Sequence, residues 1–185
     1  MDAGSRPEQW LPLLAQLHRE VDQEAERLAQ AHRSRLRCRR GCAACCVDGI
    51  TVFQVEAEDI RRHHGDLLVA GTPHPEGACA FLDADGACRI YAHRPYVCRT
   101  QGLPLRWTEE RADGSVVELR DICPLNDEGA PIETLAPEEC WALGPYEGRL
   151  AALQQRSGTG EMTRVRLRDL FAGGAPAPTT QGDGE

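Results

Sequence analysis

Four cysteines fall within nine residues, at Cys38, Cys42, Cys45 and Cys46, and no other feature restricts this chain so strongly. Five more follow at Cys79, Cys88, Cys98, Cys123 and Cys140, making nine in 185 residues. In a reducing compartment, thiols kept this dense bind metal or do redox chemistry. Three features argue against a disulfide scaffold. The count is odd, the opening MDAGSRPEQW has no apolar stretch of the kind that directs secretion, and the chain is long enough to bury its own core. A cytoplasmic location is the corresponding expectation.

Thiolates hold soft or borderline metals, and chelation needs several of them brought together by short, tight loops. Cys38-x3-Cys42-x2-Cys45-Cys46 supplies such a loop. Its small residues Gly41, Ala43 and Ala44 let backbone N–H groups approach the sulfurs. Further ligands must come from far along the chain. Cys79 and Cys88 stand at opposite ends of an expected hairpin, Cys98 follows the Arg94-Pro95 turn, and Cys123 precedes Pro124. Nine thiols would fill two four-thiolate centres with one spare, or one centre accompanied by structural thiols. The adjacent Cys45 and Cys46 are poorly disposed to close on one tetrahedral ion; they would bridge two metals, or one would stand outside. Cys140, beside Trp141 in an expected helix, is the natural spare. Arg37, Arg39, Arg40, Arg89, Arg94 and Arg99 flank the cysteines and are expected to offset thiolate charge and lower the thiol pKa values.

The rest of the chain reads as an α+β domain. Leu14, Leu17, Val21, Ala25 and Leu28 mark a helix from about Pro12 to Leu36, with a Ser5–Glu8 capping pattern that would leave Pro12 too deep in the helix. A strand is expected at 50–53 and a short helix from Val55 to His64, stopped by Gly65. Hairpins are expected at 79–91, around Asp83 to Gly86, and between Leu105–Trp107 and Val116–Leu119. Helical composition returns from Pro137 to Gln155, broken at Gly144-Pro145, and a helix or strand is expected at Val165–Phe171. The division follows: an N-terminal helix (1–36) packed on a cysteine-cluster domain (37–171), and a Gly/Ala/Pro-rich tail (172–185) expected to be disordered.

Several classes of function are disfavoured. The 29 acidic and 21 basic residues give a net charge of −8, unfavourable for a nucleic-acid or anionic-membrane surface. The arginine run at 33–40 lacks the interleaved aromatics of a nucleic-acid arm. No apolar run approaches the ~20 residues of a membrane span. G-x-S-x-G, H-E-x-x-H and P-loop patterns are missing. His63-His64 reads as a solvated pair, His93 as a surface residue with some prospect of reaching a thiol, and Asp83 and Asp85 as turn residues rather than calcium ligands. The Cys38-x3-Cys42-x2-Cys45 spacing is shared with radical SAM enzymes. Ala44 replaces their usual aromatic, however, and the remaining chain is short of the roughly 200 residues that a full barrel needs.

Cys38-x3-Cys42-x2-Cys45-Cys46, Cys79-Ala80-Phe81-Leu82, Cys88-Arg89-Ile90-Tyr91 and Arg94-Pro95-Tyr96-Val97-Cys98-Arg99 together resemble the YkgJ-type cysteine-cluster proteins, a zinc- or iron-chelating family, over about residues 38 to 123. The resemblance implies metal ligands at Cys38, Cys42, Cys45, Cys46, Cys79, Cys88, Cys98 and Cys123, and gives Cys140 no counterpart. It implies metal binding and supplies no reaction. The expected fold is a small metal-stabilised α+β domain with an N-terminal helix, short hairpins and C-terminal helices. Its expected cofactor is an iron–sulfur cluster, of the 4Fe-4S kind, in an accessory or redox role served by a protein partner or redox donor. The alternative is Zn²⁺ in a structural, non-catalytic interaction module.

Overall fold

The computed structural model describes residues 7–158 and 162–171. The expectations for Ser5 and for the tail at 172–185 lie outside the described residues. In chain order the elements are α1 (Pro7–Ala31), β1 (Thr51–Phe53), α2 (Gln54–Ala70), α3 (Tyr96–Arg99), β2 (Leu105–Glu110), β3 (Val116–Asp121), β4 (Trp141–Ala142), α4 (Pro145–Ser157) and β5 (Arg164–Arg166). The fold is α+β, as the sequence implies. Among the described residues no helix is long and apolar enough to cross a membrane.

Helix α1 buries Trp10, Leu14, Leu17, Val21, Ala25 and Leu28, one stripe at three- and four-residue spacing. Each large side chain contributes about 1.5–3 kcal/mol of burial free energy. The helix begins earlier than expected, with Pro7 in its first turn and Pro12 inside it. A proline there forfeits one N–H, the one that would reach Glu8, and the apolar stripe beginning at Trp10 offsets that loss. The helix also ends earlier than expected. At His32 the ring Nε2 meets Glu139 O at 2.6 Å, and the chain turns away.

Helix α2 is not stopped by Gly65. It kinks at His64 (φ −132°, ψ 27°) and continues to Ala70, where the Gly71 N–H bonds Leu67 O. Strand β1 pairs antiparallel with β5, while β2 pairs antiparallel with β3 and parallel with β4. The helix expected from Pro137 is instead a single 3₁₀ turn followed by β4. Trp141 N bonds Pro104 O and Leu143 N bonds Arg106 O, so pairing with β2 claims this segment and leaves Cys140 extended (φ −117°, ψ 143°). The 79–91 segment is a minimal hairpin, one Leu82–Cys88 bridge closed by a turn. In that turn Asp83 Oδ1 accepts the N–H groups of Asp85 (2.9 Å) and Ala87 (2.8 Å).

Two apolar clusters result. One joins the α1 stripe to Phe53, Val55, Tyr96, Trp141, Leu150 and Leu153. The other lies beneath the cysteine-bearing loops and contains Val52, Ala57, Ile60, Phe81, Ile90, Leu167, Phe171 and Cys79 itself. Successive residues of β1 and early α2 divide between the two, and this fixes the cysteine loops relative to α1.

Candidate metal centre

All nine cysteines are free thiols. The first group is shaped by two tight turns, in which Cys42 N bonds Arg39 O and Cys46 N bonds Ala43 O, each at 2.9 Å. Gly41 (φ +80°) packs so closely on the Asp83–Ala87 turn that a Cβ on it would lie 3.1 Å from Asp85 O. The first loop therefore lies against the hairpin that carries Cys88. Cys79 N bonds Cys46 O at 2.9 Å, joining the second cysteine segment to the first. Short helix α3, set up by Arg94-Pro95, presents Cys98 from a third direction.

Five thiols share one electrostatic neighbourhood. Cys46 interacts with Cys45, Cys79 and Cys98, Cys88 with Cys79, and Cys98 with Cys79, Cys88 and Cys45. Cys38 and Cys123 meet at a different point, the buried Asn126. Its Nδ2 donates to Cys38 Sγ (3.4 Å) and to Gly102 O (2.8 Å), its Oδ1 accepts from Arg37 N (2.8 Å), and its own N–H bonds Cys123 O (2.7 Å). Cys42 lies on the loop between these groups. Cys140 is buried beside Arg120, 3.8 Å from its Nη1, and its charged surroundings are Arg120, Arg106, Glu118 and Glu139.

The donor set is chemically suited to zinc or iron, being rich in soft sulfur. Among the described residues, however, no three Cys, His, Asp or Glu side chains stand ready to grip one ion together. The five coupled sulfurs are neighbours that must still close in. Burial pushes the Cys79, Cys88 and Cys98 thiols up, Cys98 furthest, with repulsion from Cys79 and Cys88 adding to it. Hydrogen bonding from Cys46 lowers Cys45 to about 6, while Cys46 itself is raised. The expectation that flanking arginines lower the thiols fails for Cys88 and Cys98. Arg94 and Arg89 do pull Cys88 downward, but desolvation outweighs them. Those guanidinium groups also have other work. Arg89 bonds Ala80 O (2.6 Å), Arg94 lies over the Tyr91 ring (4.1 Å), and Arg99 pairs with Asp22 (2.6 Å).

Functional neighbours absent from the sequence reading are Asn126 and the buried group behind Cys98. Glu56 Oε1 accepts Tyr96 N at 2.6 Å, at the start of α3, and lies 3.3 Å from His18 Nε2. Arg99 Nη2 faces His18 Nδ1 at 3.3 Å. This network ties α1, α2 and α3 together and holds the backbone that carries Cys98. An acid near a helix start and a histidine on an apolar stripe are each unremarkable, so no local signal announced them. His63-His64 is not merely a solvated pair, since His64 Nε2 lies 2.9 Å from Nδ1 of His93. His93 is accordingly half-buried rather than a surface residue, with Nδ1 facing His64.

The CxxCxxCC family model, described as "Putative zinc- or iron-chelating domain", matches residues 37–124. This chain widens the first gap of that pattern by one residue, between Cys38 and Cys42. No curated protein and no solved structure matches the chain. The matched segment spans every cysteine except Cys140, and it supports metal binding by zinc or iron.

Proposed function

We propose, from a CxxCxxCC domain at residues 37–124, that this protein carries a cysteine-ligated iron–sulfur cluster in an accessory or redox role. The observation that supports this reading is the surplus of neighbouring thiols. Five are electrostatically coupled, two of them vicinal, where a structural zinc ion uses four ligands. Such a cluster, when bound, supplies one-electron transfer. The protein's part is to hold and tune. Cys45, Cys46, Cys79, Cys88 and Cys98 are the core donors, and Cys38, Cys42 and Cys123 close in from the Asn126 side. Binding requires Cys79, Cys88 and Cys98 to give up protons that burial now retains, so uptake releases protons and strengthens with pH. The Asn126 N–H on Cys38 Sγ fixes the orientation of that sulfur toward the site.

The Cys42-Ala43-Ala44-Cys45 pair, a C-x2-C spacing common in structural zinc sites, favours a second reading: a zinc-built interaction module without catalysis. Anaerobic purification with metal analysis separates the two. Brown protein containing iron and acid-labile sulfide supports the cluster, and colourless protein containing zinc replaces it with the module.

A further inference from the structure

The kink in α2 has a chemical consequence. Neighbouring residues on a straight helix point about 100° apart, yet His63 and His64 both reach His93, 29 positions from His64 along the chain. They do so because the helix breaks at His64. His64 Nε2 and His93 Nδ1 face each other at 2.9 Å. His63 stacks flat on His93, with ring centroids 3.9 Å apart and planes 14° from parallel. The other end of this stack is also fixed, since His63 Nδ1 lies 2.9 Å from Asp59 O and 3.3 Å from Asp59 Oδ1. His93 is thereby held in plane and half-buried, and the two α2 histidines that hold it also line a shallow cleft with Arg62, Gly65, Asp66 and Leu67.

We infer that His64 Nε2 and His93 Nδ1 are the two protein ligands of a second metal site, separate from the thiols, for a borderline divalent ion such as Zn²⁺. Two imidazole nitrogens at ~2.0–2.1 Å from a tetrahedral ion stand about 3.3–3.4 Å apart. To admit one, the spacing opens by about 0.4–0.5 Å and the two rings, now 67° apart in plane, turn so that both lone pairs meet at the ion instead of facing each other. Water fills the remaining positions. Proton balance is simple. One of the facing nitrogens now carries the shared hydrogen; on binding, that ring moves its proton to its other nitrogen, and both rings ligate as neutral imidazoles with no net proton release. Burial, with the charges of the neighbouring histidines, lowers His64 below the ordinary imidazole range, and burial chiefly does the same for His93, which suits neutral ligands. His63 does not ligate; it acts as a positioning residue for His93.

The test uses the full chain prepared anaerobically with its thiol centre already loaded. Zn²⁺ is then titrated in, with bound metal counted by equilibrium dialysis and the imidazole nitrogens followed by ¹H–¹⁵N NMR. One further equivalent is expected, shifting His64 Nε2 and His93 Nδ1. That equivalent should be lost in His64→Gln and in His93→Gln and kept in His63→Phe, which preserves the stacking without the nitrogens. Cys42→Ser should leave the histidine signals responsive, so failure of the thiol reading would not imitate failure here. Unshifted imidazoles at saturating Zn²⁺, or equal uptake by wild type and His93→Gln, would overturn the assignment. Loss of the ion in His63→Phe would overturn the two-ligand set.

Discussion

Replacing Gly102 by alanine asks whether Cys38 belongs to the metal shell. Gly102 has φ +93°, in the left-handed region, where an L-residue costs about 1–2 kcal/mol. The added methyl would fall 2.7 Å from Cys38 Sγ and 3.2 Å from Asn126 Nδ2. Ordinary contact between such atoms lies near 3.5–4.0 Å, so the sulfur or the Gly102 backbone must retreat by roughly 0.8–1.3 Å. A metal–sulfur bond tolerates only about 0.2 Å. Displacement on this scale should cost at least about 1.4 kcal/mol of binding, or tenfold in affinity. Gly114→Ala is the matched control, since Gly114 has φ +79° and nothing within 4 Å of the added carbon. It carries the same kind of backbone strain in the β2–β3 turn, far from Asn126. Chelator competition, with thermal melts of the metal-loaded and metal-free proteins, reads out both effects. Gly102→Ala should lose affinity as well as stability, and Gly114→Ala stability alone. If the two variants held metal equally tightly, Cys38 would not be a ligand.

Cys42→Ser and Cys88→Ser should each lose metal and lower the melting temperature, because site formation and folding are coupled; metal analysis alongside circular dichroism checks both. Cys140→Ser should keep full metal content, its surroundings being Arg120 and neighbouring acids rather than the other thiols. The metal-free protein should weaken as pH rises past about 9, because Cys79, Cys88 and Cys98 keep their protons when folded, whereas the unfolded chain sheds them near 9.0. Cys45, lowered to about 6, acts oppositely, its contribution building between about 6 and 9 and staying in full above, while its raised neighbour Cys46 acts with the other three. Denaturant unfolding across that range should therefore show a maximum below pH 9 in the metal-free form, and a monotonic rise would contradict the buried-thiol assignment.

Local chemistry was legible and long-range competition was not. The α1 stripe declared itself through spacing, and the Asp83–Gly86 turn through residues that bond their own backbone. Boundaries failed where a distant partner decided them. Pro12 is tolerated because Trp10 and Leu14 are buried around it, and the Pro137 segment leaves helix because β2 offers Trp141 and Leu143 a ladder. Gly65 reads as a stop, but the helix bends one residue earlier and carries on. In the site, the cysteines were visible by type and spacing. Their division into a coupled five and a pair around Asn126 depends on packing between segments more than 80 residues apart in the case of Cys38 and Asn126. The direction of the Cys88 and Cys98 shifts is hidden from the sequence for the same reason. Arginines can be counted from the sequence, whereas the burial that outweighs them cannot.

X-ray absorption at the metal edge, on anaerobically prepared protein with no metal added after purification, tests the thiol centre most directly. The expected spectrum has a sulfur-dominated inner shell, at ~2.3 Å for zinc, with iron neighbours beyond it if a cluster is present. An inner shell built wholly from nitrogen and oxygen at ~2.0–2.2 Å would contradict the assignment of the cysteines as ligands.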